Sequence, residues 1–233
     1  GKTVGTVVTS QTTTAELARQ MVGRSVVFNA DDTENRPEVD PTRVVLDVRD
    51  LSADGVRPQS SPKRVTLQVR SGEVLAICGV SGNGQRELAA AIYGIRKRTS
   101  GTVTVDGVAS AGKGPRESTA LGMAFIPEDR LRTGLSPSLP VHGNLALKGY
   151  RRPPMSAGPF LKHRVIRANA EQMVARYGIK TPSIDTPTRV LSGGNVQKVL
   201  LAREIGSNPH VLIASTPTRG LDVGAIETVR SLL

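Results

Sequence analysis

Three observations on the sequence predict an α/β fold with a mixed core sheet, flanking helices and antiparallel β hairpins. First, an apolar run over Val74–Cys78 leads into a glycine-rich loop, Gly79–Gly84, and then into a run with helical periodicity, Glu87–Ile95. Second, Val211–Ala214 is short, apolar and unalternating, as expected for a parallel strand covered on both faces. Third, β-branched runs separated by turn residues indicate hairpins. A strand, a glycine-rich loop and a helix in this order are typical of α/β nucleotide-binding folds.

The remaining elements follow from local patterns along the chain. Val44–Val48 and Val65–Val69 are β-branched and aliphatic, so we expect a pair of strands. Gly101–Gly107 alternates with a period of two and ends in an Asp-Gly turn dipeptide, which predicts a second hairpin. Apolar residues recur at helical spacing over Arg164–Tyr177 and again over Asn195–Ile205. Both segments are therefore predicted to be amphipathic helices.

The first part of the chain predicts a short helix and then a linker. Thr13–Glu16 has the pattern of a capping box, and Leu17, Met21 and Val22 follow at helical spacing. Residues 29–42 are polar and twice interrupted by proline, so we expect a domain boundary there. Because the sequence opens with glycine and stops within a helical pattern, we expect a fragment of a longer protein.

Length and composition are those of an ordinary globular chain. The 233 residues are 38% hydrophobic and 22% charged, which is enough for one or two domains without disulfide staples. Cys78 is the single cysteine and lies in an apolar run, so the sequence predicts a buried, inert thiol in a reducing compartment, and it excludes a zinc cluster. No apolar stretch reaches the roughly 18 residues of a membrane span.

The net charge of +11 is compatible with nucleic acid, anionic lipid headgroups or phosphorylated ligands. No acidic residue lies between Asp129 and Glu171, whereas basic residues are frequent there. A solvated basic face is the simplest interpretation. Tyr150 and Phe160 are isolated among prolines and glycines, so a base-stacking surface is not indicated.

The loop Gly79–Gly84 has the glycine spacing of a phosphate-cradling loop, in which backbone amides and a helix N-terminus surround an anion. Two residues of that motif are replaced. Gln85 stands where a lysine reaches the outer phosphates, and Arg86 stands where a hydroxyl ligates magnesium. The sequence therefore predicts a loop that can surround a phosphate but lacks the lysine and the hydroxyl of the motif. The candidate nucleotide-binding residues are Gly79, Ser81, Gly82, Asn83, Gly84, Gln85, Arg86 and Glu87.

A second candidate anion site begins the helix at Asn195. A hydroxyl and successive glycine amides cluster there at a helix N-terminus. The residues concerned are Leu191, Ser192, Gly193, Gly194 and Asn195. Farther along, the apolar run Val211–Ala214 leads into the polar segment Ser215–Asp222.

These three motifs, in this order, resemble the nucleotide-binding domains of ABC transporters. Residues 44–233 carry the resemblance, and Asn195 together with Arg219–Ala225 is similar to the class that imports simple sugars and nucleosides. The resemblance implies a second nucleotide-binding domain over residues 44–233 with a helical subdomain over 136–205. It further implies that residues 1–28 are the tail of a preceding domain and that 29–43 are a linker.

The resemblance also implies roles for single residues. Ser192, Gly193, Gly194 and Asn195 would contact the outer phosphate of ATP held by the opposite domain, and Asp222 would lie at the dimer interface. Glu128 aligns with the coupling loop. Ser215 and Thr216 replace the expected acidic pair and cannot act as carboxylates, so no catalytic residue and no metal ligand is expected in this chain. The three histidines, His142, His163 and His210, are predicted to lie on the surface.

The function implied is that of the ATP-binding, energy-coupling component of an importer for sugars or nucleosides. ATP would bind weakly here or in trans, with Mg²⁺ only in the partner site, and this portion would itself be inactive. The partners implied are a first nucleotide-binding domain of the same polypeptide and permease subunits, with the membrane reached only through the permease and no nucleic acid. The location implied is the cytoplasmic face of the plasma membrane.

A nucleoside is favoured over a pentose by the likeness of Gly82–Leu88 to nucleoside importers. Two alternatives stay open: an ABC-type ATPase acting on RNA or the ribosome, and a nucleotide-free dimerisation or regulatory module.

Overall fold

A computed structural model of the chain describes residues 5–14, 16, 17, 20, 38–221 and 223–232. Its strands are β1 (Asp40–Ala53), β2 (Val65–Ser71), β3 (Arg98–Val105), β4 (Val108–Ala109), β5 (Met123–Ile126), β6 (Ser156–Ala157), β7 (Phe160–Leu161) and β8 (Val211–Ala214). Its helices are α1 (Gln85–Ile92), α2 (Pro115–Ala120), α3 (Val141–Ala146), α4 (His163–Arg176), α5 (Gly193–Ile205) and α6 (Val223–Leu232). The chain divides into two compact units, residues 1–36 with 218–233 and residues 37–217.

The larger unit contains an antiparallel sheet in the order β2-β1-β3-β4. β1 is central: its Val48 pairs with Leu67 of β2 on one side and with Val103 of β3 on the other. β3 and β4 are joined by Asp106 and Gly107, which both have positive φ, as a tight two-residue hairpin turn requires. Both predicted hairpins are confirmed.

A parallel pair of strands lies apart from this sheet. β5 pairs with β8 in the register Met123 with Val211 and Ile126 with Ala214. Every residue of β5 is buried, but in β8 only Val211 is buried and Ala214 is exposed. The prediction of a parallel strand is confirmed, whereas the prediction that β8 is covered on both faces is wrong, because its carboxyl end opens onto the surface.

The core of this unit forms where α1 packs between the two sheets. Leu88 and Ile92 of α1 lie in one buried cluster with side chains of β1, β3, β5 and β8. Tyr93, which follows α1, stacks on Phe125 of β5 with ring centroids 5.2 Å apart. Burying such side chains contributes about 1.5–3 kcal/mol each. This packing fixes the start of α1 relative to the end of β5.

The predicted strand over Val74–Cys78 is not formed. Gly72 turns the chain with a φ of 77° after β2, and residues 73–80 then run without a partner strand. Without strand neighbours the apolar side chains stay in solvent, so Val74 is 92% exposed and Cys78 is exposed. The expectation that this thiol is buried is therefore wrong.

Three helices pack together beyond β5, and all the predicted helices of this region are confirmed. Buried apolar residues lie on α3, α4 and α5. Asn144 of α3 is fully buried and ties the preceding loop to the approach to α5: its Oδ1 accepts from the Ser136 N–H at 2.8 Å, and its Nδ2 donates to Leu139 O and Thr188 Oγ1 at 3.1 and 3.2 Å.

An ionic contact joins the antiparallel sheet to the residue before β8. Asp106 accepts from Arg43 and also lies 2.5 Å from the Nδ1 of His210. Partial burial opposes ionisation of Asp106, but the hydrogen bonds from Arg43 and His210 outweigh it and lower the pKa of the carboxyl. His163 and His210 are exposed as predicted, while His142 is half-buried beside the carbonyl of Ile184.

The smaller unit begins with a 3₁₀ turn, Thr9–Gln11. Glu16 donates its N–H to Thr13 Oγ1 at 3.2 Å, which is one half of the predicted capping box, and residues 14, 16, 17 and 20 are helical. Met21, Val22 and positions 29–37 of the predicted linker lie outside the described residues. Where the structure describes the chain, no helix is long and apolar enough to cross a membrane.

Candidate nucleotide-binding site

The glycine loop joins the unpaired segment to α1. Ser81, Gly82 and Asn83 are exposed, while Gly84 is buried and begins α1 with a φ of 97°. A Cβ at Gly84 would lie 2.9 Å from the backbone oxygen of Ser60, so glycine suits this position both in φ and in space. The loop therefore presents an open backbone at the positive end of a helix.

Gln85 occupies the space that the glycines leave. Its Nε2 donates to Val80 O at 3.2 Å, and a Cβ added at Gly79 would collide with this same nitrogen. The side chain is thus folded back across the loop and is neutral. It cannot supply the positive charge that a lysine would bring to the outer phosphates.

A cleft of about 330 Å³ lies beside the first turn of α1. β5 and β8 are parallel, so the residues that follow them meet at one edge, and Ser215 donates its N–H to Ile126 O at 2.8 Å. The sequence-predicted residues that line the cleft are Arg86, Glu87, Glu128 and Ser215. Four predicted residues from three separate segments are thus brought together by the fold.

Asp129 also lines this cleft and was missed by sequence reasoning. Its Oδ1 accepts from the N–H groups of Leu131 and Arg132 at 3.2 and 2.9 Å, so it begins the short turn Arg130–Gly134. Aspartate is a common cap, because its side chain accepts from the N–H groups two and three residues later. Its residue type was therefore the signal that the sequence offered.

The cleft does not have the donor set of a metal centre. Among the described residues there is no cluster of three or more His, Cys, Asp or Glu side chains suited to a metal ion. Thr216 is the second of the two residues that replace the expected acidic pair. It is exposed and has a φ of 44°, an unusual conformation for a β-branched residue. The two residues that follow β8, Ser215 and Thr216, offer no carboxylate.

The second predicted anion site begins α5. Ser192 is the residue before the helix, and its Oγ accepts from Asn195 Nδ2 at 2.9 Å. Asn195 Oδ1 in turn accepts from the Lys180 N–H at 2.8 Å. The Ser192 hydroxyl oxygen therefore accepts from Asn195, and the hydroxyl proton of Ser192 is available to a different acceptor.

Arg130 lies next to this helix start: its Nη1 would be 3.7 Å from a Cβ at Gly193. Partial burial lowers the pKa of its guanidinium, although an arginine stays charged at neutral pH. None of the residues 191–195 lines the cleft at α1. The two predicted anion sites are thus separate in this chain, and Asp222 lies outside the described residues.

A buried charge cluster lies behind the site and was not predicted. Glu204 of α5 is fully buried and accepts from Lys148, from Arg203 Nε at 2.9 Å and from the Phe125 N–H at 3.0 Å. With Tyr93, these residues line a second cavity of about 400 Å³. The signal in the sequence was an Arg-Glu pair inside an otherwise apolar stretch of helix.

The comparisons with known proteins agree with this geometry. The sequence model of the family described as ABC transporter matches residues 62–219. A glucose import ATP-binding protein of Haloferax volcanii is 43% identical over the whole of this chain, which covers 42% of that protein. A nucleoside import ATP-binding protein of Lactococcus lactis is 40% identical, again over the whole chain and 45% of that protein. The chain thus spans less than half the length of these curated relatives.

Solved structures show the same fold at lower identity. A dimeric bacterial ABC transporter cassette superposes with a TM-score of 0.65 at 23% identity, covering 80% of each chain. A nucleotide-free ATP-binding cassette from an ABC transporter superposes with a TM-score of 0.64 at 20% identity, covering 81% of this chain and 75% of that one. Motifs, fold and relatives agree, and the chain belongs to the ABC transporter family.

Proposed function

We propose that this chain is part of the ATP-binding component of an importer for sugars or nucleosides, and that its own nucleotide site is degenerate. Relatives named for glucose, nucleoside and ribose import match it at 38–43% identity. The observation that carries the proposal is the start of α1: the open glycine loop precedes it, while Gln85, Arg86 and, in the adjoining cleft, Ser215 replace the groups that phosphoryl transfer needs.

Nucleotide binding at this loop is proposed to be weak and independent of magnesium. The loop amides and the start of α1 attract phosphate, and the exposed guanidinium of Arg86 adds a charge-assisted donor. Gln85 lies across the loop and must move for a phosphate to enter. With Ser215 in place of a carboxylate, Mg²⁺ has no anchor that would strengthen the contact.

The second proposed role is carried by the start of α5. Its hydroxyl and amides lie away from this chain's own cleft, so we propose that they act on ATP bound to another cassette. Ser192 is exposed, and because its oxygen accepts from Asn195, its proton stays available to a ligand. A hydroxyl donor and helix N–H groups suit the outer phosphate of a nucleotide. The other cassette is proposed to be a first nucleotide-binding domain of the same polypeptide.

The proposed partners in transport are that first domain and permease subunits, with the assembly at the cytoplasmic face of the plasma membrane. The relatives are named as import proteins, and an ATP-binding component of an importer requires a membrane subunit to act upon. ATP with Mg²⁺ is proposed to be hydrolysed only in the site that the first domain completes.

The experiment compares two variants of the full-length transporter protein in an ATP-hydrolysis assay. Ser192→Arg places a bulky cation at the start of α5, and Ser207→Arg makes the same change just beyond the opposite end of this helix. We expect Ser192→Arg to reduce turnover by about 10²-fold, as for loss of a donor to the transition state, and Ser207→Arg to retain it. Equal turnover in both variants would contradict the trans role.

A further inference from the structure

A short hairpin between α3 and α4 is exposed on the larger unit. β6 and β7 pair Ser156 with Leu161 and Ala157 with Phe160, and the Lys162 N–H donates to Met155 O at 2.8 Å. The chain thus reverses within eight residues, and positions 157–164 are all exposed. A Cβ added at Gly158 in the turn would meet no atom within 4 Å, so the tip is open on that side.

A solvent-exposed aromatic side chain lies at this tip. Phe160 is 76% exposed, and its neighbour Leu161 is 42% exposed. Large exposed apolar side chains beside basic residues are typical of segments that lie in a membrane interface. They insert readily into a soft interface such as the headgroup boundary of a bilayer.

Basic side chains surround the tip. Arg151 and Arg152 precede the hairpin, Lys162 and Arg164 follow it, and all four are exposed. In the part of the chain that the structure describes, none of the four forms an ion pair with an acidic residue. The sequence has no acid from position 130 to position 170, so this charge is not neutralised locally.

We propose that the hairpin with its flanking bases, residues 151–164, binds the surface of an anionic lipid bilayer. Basic groups are attracted to the negative surface potential while Phe160 inserts at the headgroup level. Exposed basic side chains on both sides of an exposed apolar pair match the pattern of a segment that lies in an anionic membrane interface. This contact is additional to any binding to membrane subunits and does not depend on the state of the nucleotide site.

The experiment is co-sedimentation of the purified chain with two kinds of vesicle, phosphatidylcholine alone and phosphatidylcholine with phosphatidylglycerol, at low and high salt. We expect binding to the anionic vesicles only, with a loss at high salt. The Arg151→Glu/Arg152→Glu variant should bind at least about 25-fold more weakly, from roughly fivefold per arginine. Phe160→Ala should bind about tenfold more weakly with the same salt dependence.

The matched control is Lys63→Glu/Lys97→Glu, which makes the same charge change at two exposed sites away from the hairpin. It should keep binding to anionic vesicles, and circular dichroism checks that each variant is folded. Equal losses in the two double variants would show attraction by net charge alone and would overturn the proposal. No binding to anionic vesicles would also overturn it, and loss of permease co-purification in the Arg151→Glu/Arg152→Glu variant would then indicate a protein partner.

Discussion

Asn195 shows how one side chain connects local geometry to the proposed function. It donates to the Ser192 Oγ and accepts from the Lys180 N–H, so the Ser192 side chain is tied to a fixed neighbour before any nucleotide arrives. Such preorganisation matters because a donor held in place loses little conformational freedom when its ligand binds. Asn195 is therefore a positioning residue, since in this account it acts through Ser192.

We predict that Asn195→Ala lowers ATP turnover of the full-length protein by about 2–10-fold, the worth of one net hydrogen bond. Lys180 is exposed, so water replaces the lost acceptor, and the free energy of unfolding should change by less than about 1 kcal/mol. Turnover and urea denaturation are measured on the same preparation. Unchanged turnover in a folded Asn195→Ala variant would remove the positioning role.

Asp185 gives a prediction about pH. The Arg167 guanidinium bonds it at 2.5 and 2.8 Å, and this contact holds the pKa of the carboxyl at about 2, below its ordinary value of 3.8. Because the folded pKa is lowered, the contribution to stability is present above the unfolded pKa and is lost as pH falls toward about 2.

We therefore expect Arg167→Gln to raise the pKa of Asp185 toward 3.8, since the paired charge is removed. The measurement is an NMR titration of the side-chain carboxyl resonance in both proteins. Asp54→Asn, at an exposed carboxyl elsewhere in the fold, is the control and should leave the titration of Asp185 unchanged. Equal pKa values in the wild type and Arg167→Gln would show that the ion pair does not form in solution.

At the scale of elements, α5 is anchored at the end opposite its proposed functional end. Glu204 accepts from the backbone of β5 and from two cations, so the helix is held against the strand that leads into Glu128. Displacement of α5 would disturb this contact. The charge cluster therefore links the end of α5 to β5, the strand that leads to the edge of the cleft, through a buried network.

We predict that Glu204→Gln destabilises the fold by about 3–5 kcal/mol, because Arg203 and Lys148 lose their buried counter-charge. Glu171→Gln, on an exposed face of α4, is the matched control and should change stability by less than about 0.5 kcal/mol. Chemical denaturation followed by circular dichroism measures both. If the two variants unfold at the same denaturant concentration, the cluster does not stabilise the helix.

Elements defined by local signals could be predicted from the sequence. The hairpin turn at Asp106 and Gly107 and the start of α5 depend on residues close together in the chain, and both are confirmed. The strand at Val74–Cys78 could not be settled in that way, because a strand forms only where a neighbour offers hydrogen bonds. Periodicity cannot show whether such a neighbour is present.

Contacts between distant segments also could not be predicted from the sequence. Glu204 and Phe125 are 79 positions apart, and nothing local at either residue indicates the other. The cleft was partly predictable, since Arg86 and Ser215 lie in recognisable motifs. Asp129 was missed because the turn that it begins is short and has no periodic apolar pattern, so its residue type was the only local signal.

At the scale of the whole molecule, the chain combines an ABC fold with two proposed anion sites of different character. One is a loop whose chemical residues are replaced, and the other is an intact helix start that does not line the cleft at that loop. Family membership follows from the match over residues 62–219. We propose that the first site keeps phosphate affinity without the groups that transfer phosphate.

The most direct measurement is a calorimetric titration of the purified chain with ATP, with and without Mg²⁺, alongside a sensitive phosphate-release assay. We expect weak binding that magnesium does not strengthen, and no phosphate release above the protein-free rate, because Ser215 and Thr216 offer no carboxylate. Magnesium-dependent phosphate release that is abolished by Gln85→Ala would contradict the account.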